Sequence, residues 1–173
     1  MSGAAPDDIS PDKISADNMT PANIDWSQGV PLNAGPYFIG LYQPSPETAG
    51  FWAGVEQHEL RVKWCTACAR AFHPKRIVCT VCGSDALDWK RVSGRGKVYS
   101  FSEIHRASSP VFQASVPFTV GVVALDEGVY LLSRLIAAPG LGSAAIRIDA
   151  PVQVDFRVLE EGKLLPVFLV GAA

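Results

Sequence analysis

The chain has 173 residues, 48% hydrophobic and 18% charged, enough to bury a core as one globular domain or two small ones and too apolar to be disordered throughout. No apolar run approaches the roughly 20 residues that span a bilayer, and the first residues lack the basic start and continuous apolar stretch of a secretory leader, so the expected compartment is the cytoplasm. The net charge of −2 hides an asymmetry: residues 1–60 set Lys13 against eight carboxylates, whereas Arg61 to Arg106 hold ten Lys or Arg against Asp85, Asp88 and Glu103. Such a basic island suits a nucleic acid, a phosphate-bearing cofactor or an acidic protein surface, and charge alone does not choose among them.

Residues 1–43 open with a polar, proline-rich stretch to about Pro36, in which apolar residues are isolated at Ile9, Ile14, Met19, Ile24 and Trp26. They cannot build a core and read as an extended or partly disordered arm. A ten-residue echo runs through them, Ile9-Ser-Pro-Asp-Lys-Ile14 and Met19-Thr-Pro-Ala-Asn-Ile24, in which Ser10 and Thr20 are candidate caps of short helical turns. Over residues 44–60, Ser45-Pro46-Glu47 is a helix start, and Phe51, Trp52 and Val55 follow at roughly helical spacing. The pattern predicts a short helix near 46–58. Arg61-Val62-Lys63-Trp64 then reads as a strand entering a metal knuckle, the start of a zinc-ribbon region at 61–86.

All four cysteines of the chain fall in two Cys-x-x-Cys pairs, Cys65/Cys68 and Cys79/Cys82, ten residues apart. Each pair points two sulfurs at one metal, and two pairs complete a tetrahedral thiolate shell for Zn2+. The ten intervening residues have room for two short strands and a turn. Two disulfides would need an oxidising compartment, and a redox pair is usually set in a βαβ context that this sequence lacks. Four thiolates leave no open coordination position, so the expected zinc is structural rather than catalytic.

From Leu87 to the end, apolar and polar residues alternate in short runs with turn residues between them. Strands are expected near 87–92, 97–105, 117–125, 129–136 and 151–158, with a last apolar run at 164–170. Asp126-Glu127-Gly128 offers a hairpin turn, and 137–148, rich in Gly, Ala and Pro, reads as a loop or short helix. These suffice for a five-stranded OB-type barrel over 87–173, and the expected fold class is mainly β.

No catalytic constellation is visible, and the expected catalytic set is none. His58 and His73 are isolated and read as solvated or packing residues. His105-Arg106, at a strand end beside a loop, reads as a rim pair that could meet a ligand. Ser93-Gly94-Arg95-Gly96-Lys97 lacks the spacing of a phosphate-binding loop. It reads as a tight glycine turn exposing Arg95 and Lys97, with a phosphate contact as the alternative.

Taken in order, these motifs resemble the DUF35 family. The likeness runs from about Pro44 to Phe168, through Pro46-Glu47-Thr48, Phe51-Trp52, Leu60-Arg61 and Cys65-Thr66-Ala67-Cys68. It continues through Phe72, Pro74, Arg76, Cys79-Thr80-Val81-Cys82-Gly83 and Trp89. Beyond the ribbon it includes Val92 to Phe101, His105-Arg106, Pro117-Phe118 and Leu125 to Gly128. The resemblance implies a rubredoxin-like zinc ribbon before an OB-fold, and a partner: a thiolase, ketosynthase, thiolase-fold aldolase or hydratase subunit acting on acyl-CoA. The implied role is a non-catalytic accessory subunit in a hetero-oligomer. An acyl-CoA ligand is a further candidate, for which Arg95, Lys97, His105 and Arg106 are candidate contacts to CoA or the partner. The first forty or so residues lie outside the likeness. Two alternatives stand beside this reading. One is nucleic-acid binding, opposed by a sequence pI of about 5.9. The other is a stand-alone acyl-CoA enzyme using His105 or Asp126.

Overall fold

The computed structural model describes residues 45–107, 110–113, 115–158 and 164–172, with the backbone alone at 110 and 111. The expected arm over 1–43, with its two candidate caps, lies outside the described residues. Ser45 to Thr48 close a hydrogen-bonded turn: the Thr48 N–H donates to the Ser45 carbonyl and the Ser45 N–H to Thr48 Oγ1, both at 2.9 Å. This turn delays the helix expected from 46. Helix α1 spans Ala49–Glu56, with the buried Thr48 rather than Ser45 at its cap.

Strand β1 (Arg61–Cys65) lies between β2 (Arg70–Phe72) and β3 (Leu87–Arg91), both antiparallel to it. The two short strands that the cysteine spacing allowed reduce to one, β2. The strand expected at 87–92 forms, but it pairs with β1 and completes the ribbon's sheet instead of contributing to the barrel. Its composition explains the choice. Asp88, Lys90 and Arg91 are exposed, and only Leu87 and Trp89 are half-buried, too little apolar surface to line a barrel wall.

The barrel is made of β4 (Arg95–Ile104), β5 (Phe118–Leu125), β6 (Tyr130–Ala137), β7 (Pro151–Val158) and β8 (Leu164–Val170). Their closed order is β4-β5-β6-β8-β7, the five-stranded OB-type barrel that the alternation predicts. The last apolar run, β8, is the closing strand: it runs antiparallel to β7 and parallel to β6. A register shift at Tyr99 lets β4 bend from its short pairing with β7 into its long pairing with β5. A four-residue helix α2 (Pro110–Gln113) precedes β5, and Ser143–Ala145 form the 3-10 turn of the 137–148 loop.

Period-two alternation aims Val98, Val123, Leu131, Leu135, Val152 and Phe168 inward. Leu60 and Val62 from the ribbon side join the same buried cluster, and Phe51 of α1 packs against it. The described residues therefore form one unit around one core.

Candidate metal centre and flanking cleft

The two knuckles have the same backbone plan. Ala69 and Gly83, each just after the second cysteine of a pair, adopt φ of 54° and 74°. Their N–H groups donate to the carbonyls of Cys65 and Cys79, at 2.9 and 3.0 Å. This folds each pair so that all four sulfurs lie within 4.8 Å of one another. Two of the separations are 3.6 Å (Cys65–Cys82) and 3.5 Å (Cys68–Cys79). A tetrahedron with Zn–S of ~2.3 Å has edges of about 3.8 Å, so the cluster already has the size of a zinc shell and is too wide for disulfides.

The surroundings favour thiolate at Cys79 and oppose it at Cys68. Burial pushes the Cys79 thiol up, but N–H groups of Cys82 and Val81 pointing at its sulfur outweigh that and bring it down to about 6. Burial, together with hydrogen bonding to Cys79, pushes Cys68 up to about 12. Zinc bound there would hold the β1–β2 turn to the loop before β3. It would fix structure rather than activate water, because four sulfurs fill its coordination.

Much of the basic island is used inside the ribbon. Lys63 stacks over Trp89 at 4.0 Å and Lys90 over Trp64 at 3.4 Å, one on each face of the β1–β3 pair. Arg61 and Arg91 both reach Glu59, at 2.6 and 3.2 Å. The hydrogen bond from Arg61 holds the Glu59 carboxyl below its ordinary value, against a smaller opposing push from burial. Among the described residues, no ion pair is formed by Arg70, Lys75 or Arg76.

The Ser93–Lys97 segment is a tight passage between elements. Gly94 sits at φ 70°, and a Cβ there would lie 2.1 Å from Val154. A Cβ on Gly96 would lie 2.2 Å from the Ala124 carbonyl oxygen, where β4 crosses β5. The Ser93 N–H donates to Glu127 Oε1 at 2.7 Å, which anchors the expected Asp126-Glu127-Gly128 hairpin beneath it. Arg95 lies 3.7 Å from Asp126, both exposed. Lys97 is exposed beside Pro151. His105 lies 3.5 Å from Glu103 past the far end of β4, with Arg106 exposed next to it. The ten residues of β4 run between them, so the Arg95/Lys97 pair and the His105/Arg106 pair sit at opposite ends of that strand. They do not converge on one site. His58 packs edge-on against Phe156, with ring centroids 5.6 Å apart, consistent with its packing reading.

The chain brings together a different set of cations. An open cleft of about 620 Å³ lies between the metal loop and the β5–β6 hairpin. Arg70, His73, Lys75 and Arg76 line it from the ribbon, with no acidic residue, and Gly128, Val129 and Tyr130 line it from the barrel. Burial lowers the His73 pKa, and the charges of Lys75 and Arg76 lower it further. The sequence signalled these cations only as part of the basic island. That they face Tyr130, more than fifty residues later, follows from the ribbon lying against the barrel.

Two family profiles match the chain: the ChsH2 rubredoxin-like zinc ribbon domain over residues 52–88 and the ChsH2 C-terminal OB-fold domain over residues 89–157. A probable enoyl-CoA hydratase alpha subunit of Thermomonospora curvata is 34% identical over 119 residues, which are 68% of this chain and 36% of that protein. The chain thus spans about a third of that relative's length. A DUF35 domain-containing scaffold protein of Methanothermobacter thermautotrophicus is 31% identical over 68% of this chain and 87% of its own length. Among solved structures, the chain is similar to a chain of an Ltp2-ChsH2(DUF35) aldolase, with 30% identity and a TM-score of 0.64. That likeness covers 75% of this chain and all of the other. The sequence order of knuckles and strands, the four-sulfur cluster and these likenesses converge: the chain belongs to the DUF35 family of zinc-ribbon and OB-fold proteins.

Proposed function

We propose that this protein is a non-catalytic accessory subunit that binds and stabilises a thiolase-like enzyme acting on CoA thioesters. The reading rests above all on the likeness of the whole ribbon–barrel body to the DUF35 component of a solved aldolase. It is supported by the chemistry present: the four sulfurs close the metal's shell, and His105 and Asp126 lie at separate exposed places, paired with Glu103 and Arg95 respectively. Arg95 and Lys97 at one end of β4, and His105 and Arg106 at the other, serve this reading as separate contacts to acyl-CoA or to the partner. No helix among the described residues is long and apolar enough to cross a membrane. Four free thiols held for a metal suit a reducing compartment, and we assign the protein to the cytoplasm on that ground.

Co-expression with the thiolase-like polypeptides of its own genome tests the proposal. One of them should co-elute with this chain and lose yield and turnover without it, while the purified chain alone turns over no CoA thioester. A partner that folds and works fully alone and never binds the chain refutes the reading. So does turnover by the isolated chain that His105→Ala or Asp126→Ala abolishes.

A further inference from the structure

The cleft continues into an apolar surface. Val81 and Tyr130 line it from opposite walls, 56% and 53% exposed. Tyr130 meets Tyr99 edge-on, with ring centroids 5.0 Å apart, and Tyr99 is 60% exposed. Leu132, two residues further along the same outward face of β6, is 68% exposed and paired across the sheet with Val122. A run of exposed aromatic and aliphatic side chains across two subdomains is uncommon on a surface that only meets water. Beside it stand Arg70, Lys75 and Arg76, which have no ion pair among the described residues.

We infer that this cleft and the β5–β6 face beyond it form the docking surface for the enzyme subunit, and receive an apolar segment of that subunit flanked by carboxylates. The inference rests on the accessory-subunit reading and adds where the partner sits and what chemistry it presents. Two arguments select a protein over a small molecule. A phosphate-bearing ligand of cofactor size would fill the cleft, yet leave Leu132 and Tyr99 in water. A protein segment covers both while its carboxylates meet the three cations. Aromatic anchors beside arginines are also the composition on which interface energy concentrates. The surface is half ribbon and half barrel, so it exists only when the metal loop is correctly folded.

The test uses the full chain and the enzyme subunit identified by co-expression, with dissociation constants measured at several salt concentrations. Three variants are compared after checks of zinc content and melting: Leu132→Asp, the double reversal Arg70→Glu with Arg76→Glu, and Val158→Asp as an exposed apolar control on β7. Leu132→Asp should raise the dissociation constant by about tenfold or more. The double reversal should do the same at low salt, with an effect that shrinks as salt rises. The control should stay within about twofold, the size of an ordinary surface change. If both patch variants fold and bind as the wild type does, the inference is overturned and the accessory-subunit reading survives. Failure of the wild-type chain to bind overturns both. If the double reversal leaves the complex intact but abolishes its retention of coenzyme A, the cleft is a small-molecule site and the docking assignment falls.

Discussion

Leu60 lies between α1 and β1, on the ribbon side, yet only 2% of it is exposed because it is buried with Val98, Val123, Leu135 and Phe168 of the barrel. Leu60→Ala removes three carbon atoms from that core. At about 0.8 kcal/mol per methylene the lost transfer energy is roughly 2.4 kcal/mol. A cavity of about 50 Å³ that fails to collapse adds about 1 kcal/mol, giving roughly 3–4 kcal/mol in total. For a body of this size that corresponds to a drop in Tm of about 10–15 °C. The assay needs two probes: a chromogenic chelator reporting zinc release, and near-ultraviolet circular dichroism reporting barrel packing. With a shared core both transitions should fall together by the same amount. If zinc release moves down while the barrel signal melts at its wild-type temperature, the ribbon and barrel do not share a core and the reasoning fails. A loss below about 1 kcal/mol would also refute it, since that is the cost of an exposed site.

Cys82→Ser should reduce bound zinc, measured by metal analysis of the purified chain, and weaken partner assembly with it; loss of zinc with an intact complex would remove the ribbon from the docking surface. Gly96→Ala forces a Cβ to within 2.2 Å of the Ala124 carbonyl oxygen, and urea unfolding should show a loss of about 1–3 kcal/mol, the range for overpacking against atoms that cannot move aside. Glu59 has a depressed pKa in the folded chain, so its contribution is present above its ordinary value near 4.5 and is lost as pH falls through the folded value. The Tm difference between the wild type and Glu59→Gln should therefore be visible at pH 7 and vanish in acid below both values; a difference that persists there would mean the carboxylate charge is not its source.

The legible parts of the molecule are those set by short-range rules. Cys-x-x-Cys geometry is local, so the metal cluster could be read from spacing. Val152 to Val158 alternate with period two, and that alternation predicts β7 directly. Pairing partners are not local. Leu87–Arg91 reads as a strand in either setting, and only the neighbouring β1 edge decides that it belongs to the ribbon. The same limit applies to the cations. Sequence counts ten in the basic island, but Lys63 and Lys90 end on tryptophan rings while Arg70 and Arg76 end in a cleft, and that division depends on which strands meet. Arg95 and His105 are both candidate contacts to CoA or the partner. The length of β4 separates them.

Strand β3 also bears on how this architecture can be divided. The two matched regions of the chain meet between Asp88 and Trp89, in the middle of a strand whose every residue is registered against β1. A barrel expressed from Trp89 onward would lose Leu60 and Val62 from its interior and leave the residues they cover facing water. The ribbon and barrel are thus separable as patterns of sequence yet share one buried cluster. Recombination that shuffled one without the other would have to rebuild the seam as well.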